Sequence, residues 1–286
     1  MIRTLPNSRA YTTAYRLFIA VFFIFLFSPL LITMILAFNN SMFPSLPWKG
    51  FTLDWFFGRG PDKIGIFHDD SNLRSIFTSI RVAVAVSALS TLVGTMAAFL
   101  FEHEDFKFKQ AFYFLMLAPL VIPGVILGIS ILLFTNAVGL FFEDKLGLDM
   151  RFLAPGYWLV VFGQFSFITT ITTMTISARL KKFDRTLEEA AYNLGANKLE
   201  VLRFITLKYL RPSIVGAAAI AFLMSFENFN TTLFLVGSDQ TLPINLYLQV
   251  RDGSTPVINA IAFILITFTS IVAVANLYGG NKKNQT

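Results

Sequence analysis

Glu227 is the one acidic residue inside the apolar runs of this 286-residue chain, in the stretch MSFENFNTTLF. A carboxylate in hydrocarbon costs about 2.5–3.5 kcal/mol at mid-bilayer and less nearer the interface. Its side chain is therefore expected to face protein or a wet path, where it can accept from a cation that has lost its water. A helix-end carboxylate in water, or one paired with Arg251, is the competing account. Asn228 and Asn230 follow it, and Gln164 sits in another apolar run. The hydroxyls near Gln164 (Ser166, Thr169, Thr170, Thr172, Thr173) can bond their own backbone one turn back. An amide is harder to satisfy that way. Glu227, Gln164, Asn228 and Asn230 are thus the candidate path residues.

Other chemistry is missing. With no cysteine there is no disulfide framework, thiol nucleophile or cysteine metal site. His68 and His103 are the only histidines, and His103-Glu104 lacks the second His of a zinc-hydrolase motif. None of the 17 glycines is followed by Lys, so no Walker A ending exists and any ATPase must be another chain. An intramembrane enzyme would have no catalytic pair. A secondary transporter or channel is the rival class; coupling by ions usually uses several intramembrane charges, and this chain has one.

The elements that must carry these residues are membrane helices. The chain is 55% hydrophobic and 14% charged, against about 25% charged in an ordinary globular domain. Its apolar residues come in runs: Leu17–Phe38, Val82–Phe101, Ala111–Thr135, Tyr157–Ala178, Pro212–Phe229 and Val257–Tyr278. A hydrocarbon core of roughly 30 Å needs about 20 helical residues. The expectation is an all-α membrane protein with six transmembrane helices. A tail at 1–16 precedes a single six-span transmembrane domain, 17–278, and a second tail occupies 279–286. The net charge of +6 would suggest nucleic acid in a soluble protein. Here its distribution matters more, and no nucleic acid partner is expected. About two thirds of the Lys and Arg fall on the side that holds both termini, which the positive-inside rule places in the cytoplasm.

Two outer loops are substantial. Asn39–Arg81 is expected to be an ordered cap, and Asn230–Pro256 to pack on the bundle or dip into it. Ser90/Gly94/Ala98, Gly124/Gly128 and the small residues Gly216–Ala219 and Ala221 let helix backbones approach. Pro119 and Pro123 interrupt the third run, in APLVIPGVILGIS, where each removes an N–H and should kink or unwind the helix. Such a site either lines a path or is a static kink.

The segment Arg179–Arg211 is the longest connection on the inner side. Thr186-x-x-Glu189 has the form of a capping box, with Glu188 and Glu189 in the first helical turn. Gly195 favours a bend or C-cap, and a second helical pattern resumes at Lys198 and can run into the fifth span. An exposed short helix with Ala190-Ala191 flanked by carboxylates suits a partner's groove; a membrane-surface helix is the alternative.

Glu189-Ala190-Ala191, three residues, Gly195, nine residues, then Ile205-x-Leu207 resembles the E-A-A-x3-G-x9-I-x-L-P loop of ABC importer permeases, with Lys208 where that pattern has Pro. APLVIPGVILGIS and TLPINLYLQVRDGSTPVINA are similar to the spermidine/putrescine-type permeases, especially the C-type subunit. The resemblance implies a type I importer bundle in the bacterial inner (plasma) membrane. It makes Glu188, Glu189, Ala190, Ala191, Gly195 and Ala196 the coupling helix that docks on a cytoplasmic ABC ATPase dimer, which binds ATP and Mg. This chain then needs no cofactor of its own. A second, different permease chain and an extracytoplasmic solute-binding protein complete the assembly. Transport follows alternating access. The implied solute is a polyamine; ferric iron, organophosphonate and other small solutes are carried by related importers.

Overall fold

The computed structural model describes residues 9–61, 63–253 and 255–283, with side chains as far as residue 271. Arg3 of the N-terminal tail and residues 284–286 of the C-terminal tail lie outside the described residues, as do the side chains of Lys282 and Lys283. In order, the elements are α1 (Arg9–Leu36), α2 (Asp54–Phe57), β1 (Arg59–Gly60), β2 (Lys63–Ile64), α3 (Asp70–His103), α4 (Lys109–Val121), α5 (Gly124–Leu146) and α6 (Tyr157–Leu180). Then come α7 (Thr186–Asn193), α8 (Lys198–Val201), a π-helical turn (Leu202–Thr206), α9 (Leu207–Phe226), α10 (Thr232–Leu235), α11 (Leu242–Gly253) and α12 (Val257–Lys283). Among the described residues, five helices are long and apolar enough to cross a membrane: α1, α3, α5, α6 and the continuous helical stretch Lys198–Phe226. The sixth apolar run falls in α12.

Two compact units are present, residues 1–73 with 248–286, and residues 74–247. In the first, α1 packs on α12, and Phe38 meets Phe51, Phe56 and Phe263 at ring distances of 5.4, 5.3 and 4.9 Å. The expected cap after α1 is ordered: Trp55, Phe56 and Ile66 are buried, and β1 pairs antiparallel with β2.

In the second unit, α6 is the central helix. It buries Leu159, Val160, Val161 and Ile168 against Val82 and Val86 of α3, Ala221 of α9 and Leu235 of α10. A second cluster joins Ala98, Ile176, Leu180, Phe183, Leu210 and Ala217. Gly94 lets α3 approach so closely that a Cβ there would stand 2.1 Å from Thr172 Oγ1 and 3.0 Å from Thr173 N. Gly128 does the same for α5 on α10, with Thr231 O 2.6 Å from the position of a Cβ. The hydroxyls of α6 divide between two roles. Ser166, Thr173 and Thr175 bond their own helix, whereas Thr170 donates to Met116 O of α4 (2.6 Å) and Thr172 to Ser90 O of α3 (2.7 Å). Interhelical bonds of this kind contribute on average about 0.6 kcal/mol each. From the expected second loop, α11 packs on α3, with Leu242 N donating to Ser79 Oγ at 2.7 Å.

Several boundaries differ from the sequence expectation: α1 begins at Arg9 inside the expected tail, α3 begins at Asp70 inside the expected outer loop, α12 runs on to Lys283, and the third and fifth runs change as follows. The third run is two helices, not one kinked span. Ile122 is extended (φ −76°, ψ 127°), and Pro123 precedes the first residue of α5. A residue before proline disfavours the α region, and proline's fixed φ suits a helix start. Helix α5 then continues past Thr135 to Leu146, where Gly147 (φ +63°) closes it by donating to the Glu143 and Phe142 carbonyls. The fifth helix ends at Phe226, before Glu227 to Phe229, and Pro212 lies inside it.

Candidate functional site

The segment between α6 and α9 is built to hold α7 outward. Helix α7 starts differently from the expected capping box. Asp184 Oδ1 accepts from both the Thr186 backbone N–H (3.0 Å) and the Thr186 hydroxyl (2.8 Å). These two bonds hold the Asp184 carboxyl below its usual pKa, the side-chain bond contributing most. Thr186 is thereby spent on Asp184, and no side-chain cap forms between Thr186 and Glu189. The capping box forms one helix later. Asn197 Oδ1 accepts from the Leu199 and Glu200 amides at 3.1 and 3.0 Å, and Glu200 accepts from Asn197 N at 2.9 Å. At the end of α7, Ala196 N reaches Ala191 O at 3.0 Å around Gly195, whose φ of +88° suits glycine alone without strain.

The same segment is tied to the bundle. Arg185 Nη2 donates to Glu102 O at the end of α3 (2.8 Å), and Lys181 lies 3.5 Å from the Glu102 carboxylate. Arg179 stacks 4.3 Å from the Tyr209 ring centroid. The Thr206 hydroxyl donates to Glu188, so Glu188 faces inward. Glu189 and Ala190 face out, and the Glu189 carboxylate makes no hydrogen bond or ion pair among the described residues. Leu187, Tyr192, Leu194 and Leu199 are exposed around them, Leu194 by 89%. Ala191 and Ala196 are half-buried. The six coupling candidates thus form one short helix and its closing turn, with an apolar, acid-edged outer face.

The path candidates meet where two helices are interrupted. Gln164 is fully buried; its Nε2 donates to Thr232 Oγ1 at 2.8 Å and its Oε1 accepts from Ser225. Thr232 donates its hydroxyl (2.8 Å) and its backbone N–H (3.2 Å) to Asn228 Oδ1. Gln164 and Asn228 are thus joined through Thr232, and the Gln164 amide is consumed by α9 and α10. Asn230 is exposed and lies against Gly124, where a Cβ would stand 3.0 Å from the Asn230 Cβ. The break at Pro123 therefore adjoins the break between α9 and α10. Glu227 caps α9; its carboxylate is exposed and makes no hydrogen bond or ion pair among the described residues. Pro119 lies within α4, in the wall of an apolar groove of about 660 Å³ with Met116, Phe165 and Thr169. Sequence reasoning missed Ser225, Thr232 and Thr206. As short hydroxyl residues in or beside apolar runs, they carry no signal that separates them from the self-bonding threonines.

Comparison with known proteins agrees with this architecture. Residues 90–279 match the family described as the binding-protein-dependent transport system inner membrane component. The putrescine transport system permease protein PotI of Escherichia coli K12 is 32% identical over 252 residues, covering 87% of this chain and 84% of that protein. The spermidine/putrescine transport system permease protein PotC of Haemophilus influenzae is 27% identical over 268 residues, covering 93% and 96%. Among solved structures, a bacterial ABC transporter involved in import of the acidic polysaccharide alginate aligns with a TM-score of 0.62 at 14% identity, over 99% of this chain and 100% of that one. That likeness concerns the fold, an ABC importer permease bundle. With the family matched over most of its length and a transport permease at 32% identity, the chain belongs to the family of binding-protein-dependent transport system inner membrane components.

Proposed function

We propose that this chain is the permease that moves a polyamine, such as putrescine or spermidine, inward by alternating access. The observation that carries the reading is the outward face of α7. Glu189 and Ala190 are exposed and unspent, with Leu187, Tyr192 and Leu194 around them, while Glu188, Arg185 and Lys181 anchor the same segment to α3 and to the π-helical turn before α9. A helix held this way transmits a push. A water-exposed face with a half-apolar surface suits a protein groove. The partner is a cytoplasmic ATPase dimer, which binds ATP and Mg, and both termini of this chain lie on that side. A second permease chain shares the path, and an extracytoplasmic binding protein delivers the solute. The polyamine assignment rests on the PotI and PotC relatives and on Glu227, an unpaired carboxylate beside the two helix breaks. Irregular backbone at membrane depth is tolerated against protein or a wet cavity, which suits a path there.

Reversing the charge on the outward face tests this. Glu189→Arg should insert normally in the membrane and lose co-purification with the cytoplasmic ATPase. Retained association would remove α7 as the docking helix.

A further inference from the structure

The chain that leaves α1 forms a closed loop with its polar groups turned in and its apolar groups turned out. Buried Asn39 is the clasp. Its Nδ2 donates to Ser45 O (3.1 Å) and Pro47 O (3.2 Å), and its Oδ1 accepts from Lys49 N (2.7 Å). Trp55 Nε1 donates to Asn39 O at 2.8 Å, which locks the clasp to the core of this unit. Asn40 N bonds Gly50 O and Thr52 N bonds Phe38 O, both at 2.9 Å, and so join the two sides of the neck. Pro44 and Pro47 have no N–H to satisfy. The loop has therefore met much of its own hydrogen-bonding need without water, which is what an apolar medium demands of irregular backbone.

Its outer surface is the reverse. Phe43 is 68% exposed, Leu46 72% and Phe51 67%; Met42 and Trp48 are about half exposed. Between Asn39 and Phe51 the only charge is Lys49, and there is no acidic residue. The loop follows directly on α1, a helix long and apolar enough to cross a membrane, whose 18-residue window is only 6% buried within this chain. Its neck is the aromatic cluster of Phe38, Phe51, Phe56 and Phe263. The apolar surface of the loop thus continues the exposed apolar surface of α1 at the end of a helix of membrane length, the place where Trp is enriched in membrane proteins. A Lys stem can lie along such a surface with its ammonium among phosphates.

We propose that the loop at 41–51 is a membrane-interface wedge. Met42, Phe43, Leu46 and Trp48 enter the boundary between headgroups and acyl chains at the C-terminal end of α1, with Lys49 at the phosphate level. The wedge fixes the depth of α1 and of the Phe38 cluster packed on α12. A protein partner covering the same side chains is the competing occupant, and the test separates the two.

This chain has no cysteine of its own, so single labels need only the partner chains' cysteines replaced. Leu46→Cys, Phe43→Cys and Gly60→Cys variants of the assembled transporter carry a nitroxide in nanodiscs of phosphatidylethanolamine and phosphatidylglycerol. Gly60 is exposed and has open space around the position of a Cβ, so it serves as the aqueous reference. The expected result is a severalfold higher ratio of oxygen to nickel-chelate collisions at Leu46 and Phe43 than at Gly60. A ratio at both sites equal to that at Gly60 would place the loop in water and overturn the proposal. Shielding from both reagents would mean a protein cover, and would overturn it equally. Phe43→Cys and Leu46→Cys are read separately, so failure of one variant to assemble leaves the other to decide.

Discussion

Thr206 donates its hydroxyl to the Glu188 carboxylate across 18 residues of chain, joining the last residue of the π-helical turn to the first turn of α7. Thr206 is fully buried and Glu188 half-buried. The bond ties the first turn of α7 to the helix that runs on into α9. π-Helical turns inside longer helices are frequent at functional sites, because the extra residue loosens the local ladder. Here the looser turn carries the contact to the outward helix.

Removing that hydroxyl should uncouple without undocking. Thr206→Val keeps the shape and leaves the outward face of α7 intact, so ATPase association is expected to stay. Solute moved per ATP hydrolysed should fall severalfold in proteoliposomes. The stability loss should be about 1 kcal/mol, below the usual range for bonds to charged groups because Glu188 is partly solvated. An unchanged ratio of transport to hydrolysis would show that the contact does not transmit movement.

Gly94→Ala should damage the bundle and Gly139→Ala should not. At Gly94 the new methyl meets Thr172 and the Thr173 backbone, so α3 and α6 must separate; at Gly139 nothing lies within 4 Å. Overpacking costs about 1–3 kcal/mol, and the backbone contact puts Gly94 toward the upper end. Thermal unfolding in detergent measures both. Equal midpoints for the two variants would contradict the close approach.

Gln164→Leu separates a structural amide from a path residue. The substitution strands the hydroxyl of buried Ser225 and deprives that of Thr232 of a partner. A loss of about 1–3 kcal/mol follows if the network is structural, with transport by the surviving folded fraction unchanged. Full stability with lost uptake would instead make Gln164 a path residue.

Glu227→Gln removes a charge while keeping size. Its carboxylate is exposed and unpaired at the end of α9, so folding and ATPase association should be retained. Uptake of radiolabelled putrescine should fall at least severalfold, since a dehydrated ammonium loses its counter-charge. Full uptake would take Glu227 out of the path and weaken the case for a cationic solute.

What the sequence determined by itself is set by local chemistry. Apolar runs of membrane length, uncharged but for Glu227, placed α1, α3, α6 and the helix through α9, because in hydrocarbon each backbone group must bond within its own segment. The Glu189-Ala190-Ala191 helix with Gly195 at its close was legible for the same reason, since caps and left-handed turns act within a few residues. Competition decided the rest. Thr186 met Asp184 before it could cap α7, and Asn197 took the capping box, a choice between near-equal local partners. Pro123 broke the third run outright, because the break packs Gly124 and Gly128 against Asn230 and Thr231 of a segment a hundred residues away in the chain. Which hydroxyl of α6 crosses to a neighbour, that Gln164 spends its amide on Ser225 and Thr232, and that Thr206 reaches Glu188 depend on helix rotation and approach. Those are set by small residues meeting across the bundle, and only the tertiary structure holds both sides of that contact.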